Sequence, residues 1–93
     1  MLDEIKKIQG INHNDFDGII KNYINSCKLD LKAIGIVEKK VDESDESKLD
    51  SLIHTAILTY TLSFLDVNNS EMYSNSYNLQ KDVMRHLKDY ISE

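Results

Sequence analysis

The longest apolar stretch of the chain runs from Leu49 to Leu65 and contains no Lys or Arg and a single acidic residue, Asp50. At the 3.6-residue period of an α-helix, its large apolar side chains form one stripe and extend round much of the helix. These side chains are Leu49, Leu52, Ile53, Ala56, Ile57, Leu58, Tyr60, Leu62, Phe64 and Leu65. A bilayer-spanning helix needs roughly 20 apolar residues, so the pattern predicts a buried core helix instead. Ser47 and Asp50 resemble a capping box that begins it.

A second amphipathic helix is predicted over residues 15–34. Its apolar residues recur at three- and four-residue steps, at Phe16, Ile19, Ile20, Tyr23, Ile24, Cys27, Leu31 and Ile34. Asn12 or Asn14 is placed to cap its first turn, and Gly35 suits the left-handed position that ends a helix. Because Cys27 falls on the apolar stripe, we interpret it as a core residue and not as a reactive thiol.

Two further helices are predicted at the ends of the chain. A short N-terminal helix has Leu2, Ile5 and Ile8 on one face and ends at Gly10. The last helix begins at Ser74 or Ser76, and its predicted core stripe is Leu79, Val83, Leu87, Tyr90 and Ile91, widened by Met84.

Residues 36–47 separate the second and third of these four helices. Ile36, Val37 and Val41 favour a short extended piece, and an acidic run follows at Asp42, Glu43, Asp45 and Glu46. The run lacks the glycine and the terminal glutamate spacing of a calcium loop, so a mobile, solvated loop is predicted. The fold class is therefore all-α: a small bundle of three main helices plus a short N-terminal helix, with a long acidic loop between helices 2 and 3, forming a single domain over residues 1–93.

Composition limits the possible functions. A chain of 93 residues buries only ~60 to 65% of its unfolded surface, so its core is thin and a partner subunit would help. A net charge of −5 argues against a protein that grips a phosphate backbone through clustered Lys and Arg. A lone cysteine excludes an internal disulfide, and without a leading signal segment a reducing intracellular compartment is expected.

The sequence predicts no catalytic, cofactor-binding or metal-binding residue. His13, His54 and His86 lie on separate predicted elements, and one Cys with scattered His does not supply the close ligand pairs of a zinc site. Glycine-rich phosphate loops are also missing. We therefore expect a protein that is not an enzyme.

A row of small hydroxyl residues runs along the central helix at four-residue spacing. Its members are Ser51, Thr55, Thr59 and Ser63. The row is either the exposed strip of a soluble helix or a surface for close approach of a neighbouring subunit.

A row of basic residues is predicted on the last helix. Lys81, Arg85 and Lys88 form either a solvated face or an electrostatic contact with a partner, such as the acidic residues 42–46 of a neighbour. Head-to-tail contacts between unlike patches of identical chains generate rings when the rotation closes.

The order of these parts resembles the small head-tail connector proteins of long-tailed phages and prophages, also described as DNA-packaging or head-completion adaptors. The likeness covers nearly the whole chain. It depends on the Asp15–Gly35 helix (DFDGIIKNYINSCKLDLKAIG), the variable acidic loop, the apolar helix LDSLIHTAILTYTLSFLD and the final helix NLQKDVMRHLKDYI.

The resemblance implies an all-α subunit that assembles into a ring of about a dozen copies beneath the portal, with DNA passing through the lumen without sequence-specific binding. Its implied partners are other copies of itself, the portal protein and the next head-completion or tail protein. Lys81, Arg85 and Lys88 would be the candidate portal contact, and no membrane is involved. The protein would occupy the host cytoplasm during assembly and then the head-tail junction of the virion.

An alternative from another class stays open at this point. The same composition also fits a small acidic helical regulatory module, antitoxin-like or transcription-associated, that acts by protein-protein contact.

Overall fold

The computed structural model describes residues 1–91 and contains five α-helices within that range. They are α1 (Leu2–Gln9), α2 (Asp17–Ala33), α3 (Glu38–Val41), α4 (Ser51–Leu65) and α5 (Ser70–Arg85). Short 3-10 turns lie at Glu46–Lys48, Val67–Asn69 and Lys88–Tyr90. The same residues form no β-strand, only one isolated antiparallel bridge between Ile36 and Ile91. The all-α prediction is confirmed.

Helix α4 lies at the centre of the structure. It packs most extensively against α5, then against α2, and over a smaller area against α1. The buried apolar side chains of the whole core are Ile5, Ile20, Ile24, Cys27, Leu31, Ile36, Val41, Ile53, Ala56, Ile57, Leu62, Tyr77 and Met84. Burying such side chains is the main favourable contribution to folding, at about 25 cal/mol per Å² of apolar surface removed from water.

The end of α2 is as predicted, whereas its beginning is not. Gly35 has a φ of 97°, and the N–H of Ile36 donates to the carbonyl of Leu31 at 3.1 Å in a Schellman-type ending. At the other end the helix begins at Asp17 without a side-chain cap. Asn14 does not cap it because its side-chain oxygen accepts from Lys6 Nζ at 2.8 Å, and Asn12 lies outside the cap position.

Asp50 alone caps the central helix. Its carboxylate accepts from the N–H groups of Leu52 at 2.9 Å and Ile53 at 3.3 Å, which satisfies two of the unpaired donors of the first turn. The predicted capping role of Ser47 is wrong, since its backbone and hydroxyl donate to Asp45 in the preceding 3-10 turn.

The first half of the 36–47 segment packs against the helices, whereas a solvated loop was predicted for the whole segment. Val41 does not lie in an extended piece, since it belongs to α3 and is fully buried. The N–H of Val37 donates to the carbonyl of Tyr90 at 2.8 Å, next to the Ile36–Ile91 bridge. The buried side chains of Ile36 and Val41 anchor the first half of the segment to the core. Most residues of the segment after Val41 are exposed.

The register of the last helix differs most from the prediction. Helix α5 begins at Ser70 and ends at Arg85, and it buries Tyr77 and Met84. Met84, which was predicted to widen the core stripe, is buried as expected. The predicted core residues Leu79, Val83 and Leu87 are exposed, while Tyr90 and Ile91 lie beyond the helix and are half-buried. The helix carries two apolar stripes, and the one that contains Tyr77 is buried because its ring packs on α4 while its hydroxyl finds a partner on α2.

Candidate assembly surface

The hydroxyl row of α4 is not a continuous exposed strip. Thr59 is buried, and its hydroxyl lies 2.8 Å from Oε1 of Gln80 on α5 and 3.0 Å from the carbonyl of Thr55. Ser63 is half-buried, whereas Ser51 and Thr55 are exposed. Thr59 therefore belongs to the contact between α4 and α5 of the same chain, because its small hydroxyl permits close packing there.

The predicted acidic surface is mostly engaged within the chain. Asp42 pairs with Lys32 at 3.0 Å, and Glu46 pairs with the N-terminal ammonium group. Oε1 of Glu43 accepts from the backbone N–H of Asp45 at 3.1 Å. All of these side chains are at least partly accessible to solvent, so each pair contributes little to stability.

The basic residues predicted to form one row are separated in the structure. Lys81 is half-buried and pairs with Asp30 of α2 at 3.2 Å, so its charge is compensated internally. Arg85 is exposed at the end of α5, and Lys88 lies in the following 3-10 turn. The row is interrupted because α5 ends between Arg85 and Lys88.

A polar cluster between α2 and α5 was not found from the sequence. The Tyr77 hydroxyl donates to Asp30 at 2.6 Å, and Lys81 Nζ lies 4.6 Å from the centre of the Tyr77 ring. Burial raises the pKa of Tyr77, and the bond to Asp30 raises it further. Burial also raises the pKa of the Cys27 thiol to about 12, which keeps it protonated and unreactive at neutral pH. The cluster fixes the position of α5 on α2.

An apolar stripe runs along the outer side of α5. Met72 is 54% exposed, Leu79 66% and Val83 50%. Their seven- and four-residue spacing places them on one helix face. The spacing of Leu79 and Val83 is visible in the sequence, but periodicity alone predicts a core stripe there, whereas the structure buries the stripe that contains Tyr77.

A second apolar patch forms where the beginning of α2 meets the end of α4. Phe16 is 47% exposed, Ile19 51% and Phe64 52%. The Phe64 ring stacks on Tyr23 with centroids 4.7 Å apart and an interplanar angle of 5°. The stacking holds Phe64 at the surface next to α2.

The segment from Ser51 to Gln80, which includes α4 and most of α5, contains few charged residues. Between Ser51 and Gln80 there is no Lys or Arg, and the only acidic residues are Asp66 and Glu71. Depletion of charged residues together with exposed aromatic and Met side chains is typical of the centre of a protein-protein interface.

Residues 1–91 contain no group of three or more His, Cys, Asp or Glu side chains placed to hold a metal ion. No helix in the same range is both long and apolar enough to cross a membrane. The described residues therefore define a class, an all-α fold with two exposed apolar patches.

The comparisons with known proteins are consistent with that class. The family model for phage connector proteins matches residues 1–92, and the chain belongs to this family. Membership indicates a structural component of the phage head-tail junction that interacts with other head or tail proteins, and the family is not typically enzymatic. No curated protein and no solved structure shows significant similarity to the chain. The family match favours the connector interpretation over a regulatory binding module.

Proposed function

We propose that residues 1–93 are a single-domain subunit of a ring that lies beneath the phage portal, extends the DNA channel and offers a docking platform for the next head-completion or tail protein. The observation that carries the proposal is the family match across residues 1–92. The exposed apolar side chains of α5 and of the α2–α4 patch support it, because exposed apolar side chains that lie together are typical of surfaces that contact another protein.

The net charge of −5 suits a channel through which DNA moves. A surface that neutralised many phosphates would hold the duplex by counterion release and hinder its passage. The acidic residues Asp42, Asp45 and Glu46 each lie near a cation of the same chain, but they are exposed, so they are candidates for the channel side of the ring or for contact with a neighbouring subunit.

The portal contact would involve the exposed cations at the end of α5. Arg85, which lies 3.8 Å from Asp82, and Lys88 in the following 3-10 turn are exposed, whereas Lys81 is half-buried in its pair with Asp30. Of the hydroxyl row, Ser51 and Thr55 are exposed and available to a neighbouring subunit.

The experiment is reconstitution with the portal protein of the same phage. The purified chain is mixed with portal rings, and the products are separated by size and imaged by electron microscopy. We expect an additional ring of density on one end of the portal, made of about a dozen copies by the family analogy. A chain that stays monomeric and unbound at saturating concentrations of portal would contradict the proposal.

A further inference from the structure

A cavity of about 310 Å³ lies where α5 ends and the chain turns away from the helix. It is lined by Arg85, His86, Leu87, Lys88 and Ile91, and we call it the α5-end cavity. Its volume is at the lower end of the roughly 300 to 1,000 Å³ of ligand sites. The lining combines three side chains that can donate hydrogen bonds with two aliphatic ones, and no carboxylate of residues 1–91 lines it.

The walls of the α5-end cavity are held in place by backbone contacts. Leu87 has an extended backbone, which turns the chain away from α5. The far wall is anchored where the carbonyl of Tyr90 accepts from the N–H of Val37 at 2.8 Å and the Tyr90 hydroxyl donates to Asp50 at 2.7 Å. Ile91 lies next to this anchor in its bridge to the residue before Val37. The cavity is therefore preformed, which lowers the ordering cost of binding.

The carbonyl groups at the end of α5 do not occupy the cations of the cavity. The N–H groups of His86 and Leu87 donate to the carbonyls of Val83 and Met84 at 3.1 and 3.2 Å. Nδ1 of His86 lies 2.6 Å from the carbonyl of Asp82. Because a carbonyl only accepts, Nδ1 carries the proton, and Nε2 is the ring nitrogen left for a ligand.

Carboxylates of the same chain also leave these cations largely uncompensated. Arg85 lies 3.8 Å from Asp82, which is too far for a hydrogen bond, and both side chains are more than half exposed. Such an exposed pair contributes little. Lys88 forms no ion pair within residues 1–91.

A second cavity in the described part of the chain differs in its charge. Its wall contains Lys39, Lys40 and Lys48, but it also contains Glu43 and Asp50, so charges of both signs offset one another there. The α5-end cavity is lined by cations alone, and charge complementarity points to an anionic ligand for it.

We propose that the α5-end cavity binds a protein segment that presents a carboxylate next to an aliphatic side chain. The Arg85 guanidinium and the Lys88 ammonium group pair with the carboxylate, since a guanidinium binds both of its oxygens at once. Leu87 and Ile91 contact the aliphatic side chain. The inference rests on the proposed function, which makes the portal protein the source of the segment.

The lining favours a protein segment over a nucleic-acid strand. Proteins that hold single strands stack the bases on aromatic side chains, and no aromatic side chain of residues 1–91 lines this cavity. Aliphatic side chains beside the cations match a peptide, which carries its carboxylate and its apolar groups on the same short segment.

The test measures binding of overlapping peptides that cover the portal sequence, and of whole portal rings, to the full chain. Arg85→Gln and Lys88→Gln each remove one charge from the cavity, and both positions are exposed, so the fold is retained. Lys39→Gln is the matched control, because it removes an exposed lysine at the cavity of mixed charge. Circular dichroism checks the helical content, and fluorescence anisotropy gives each Kd.

We expect wild type to bind peptides in which Asp or Glu adjoins Leu, Ile or Val. Arg85→Gln and Lys88→Gln should each raise the Kd about tenfold, as for the loss of a hydrogen bond to a charged group, while Lys39→Gln binds like wild type. Replacing the acid of the peptide by its amide should weaken binding to wild type but hardly change binding to Arg85→Gln. Peptides with a free or an amidated C-terminus distinguish a chain-end carboxylate from a side-chain one.

Three outcomes overturn the inference. If wild type, Arg85→Gln and Lys88→Gln attach equally well to portal rings and to the peptides, the cavity is not the contact, although the proposed function stands. If the two variants lose affinity for a short DNA duplex but not for peptides or portal rings, the cavity binds phosphate groups instead. If wild type does not attach to portal rings at all, the proposed function itself is wrong and the inference fails with it.

Discussion

Replacement of Tyr77 by Phe tests the polar cluster that joins α5 to α2. Tyr77 is 5% exposed, its hydroxyl donates to Asp30 at 2.6 Å, and its ring packs edge-on against Tyr60 at 5.1 Å. Tyr77→Phe keeps the ring and removes the hydroxyl, which donates to Asp30 and accepts a weak hydrogen bond from the Cys27 thiol at 3.7 Å. The Asp30 carboxylate is left with Lys81 as its partner.

The magnitude follows from the environment of Asp30. A hydrogen bond to a charged group contributes about 1.5 to 3 kcal/mol to stability. The Asp30 side chain is 39% exposed and keeps its ion pair, so the expected loss is about 1 to 2 kcal/mol of unfolding free energy. For a domain of this size, that loss lowers Tm by about 5 to 15 °C.

Urea unfolding monitored by circular dichroism measures the effect. Tyr73→Phe removes a hydroxyl one turn earlier on the same helix and is the matched control. A double-mutant cycle with Asp30→Ala should give a coupling energy of about 1 kcal/mol. The reasoning is refuted if Tyr77→Phe unfolds at the wild-type urea concentration or if the cycle shows no coupling.

Three further changes probe local features. Gly18→Ala should stabilise the protein by about 0.5 to 1 kcal/mol in urea unfolding, because Gly18 is helical and a Cβ there meets no atom within 4 Å. Asp50→Ala should cost about 2 kcal/mol, measured by calorimetry, because it removes the cap of α4 and the acceptor 2.7 Å from the Tyr90 hydroxyl. Burial, aided by the bond to Asp50, raises the pKa of Tyr90 to about 12, and the pKa of Tyr77 is also raised. The stability that the two protonated hydroxyls contribute is therefore fully present below pH 10, and it is lost as the pH rises through their folded-state pKa values. Denaturation curves between pH 9 and about 12.5 should therefore show a decline that is smaller in Tyr90→Phe.

Each of these has a clear contrary outcome. Loss of stability in Gly18→Ala would mean that the helix start needs glycine. Asp50→Asn keeps a capping oxygen and should recover part of the loss, and equal loss in both variants would assign the effect to something other than the cap. An identical alkaline decline in wild type and Tyr90→Phe would show that other groups cause it.

The all-α class and the centrality of residues 49–65 follow from the sequence alone. Hydrophobic periodicity and the lack of proline suffice for helices, and Gly35 marks a helix end because it tolerates a positive φ. The order of these elements also sufficed to recognise the family, which the match over residues 1–92 confirms.

Only the tertiary structure decided which stripe of α5 is buried. Leu79 and Val83 have a more typical core composition than Tyr77, yet Tyr77 is buried together with the predicted Met84, because its packing on Tyr60 and its bond to Asp30 depend on residues distant in the chain. The same long-range contacts buried Thr59 against Gln80 and left Leu79 and Val83 on the outer surface. Periodicity reports that a helix has an apolar face, whereas the complementary shape and hydrogen-bonding groups of neighbouring helices select which face packs inside.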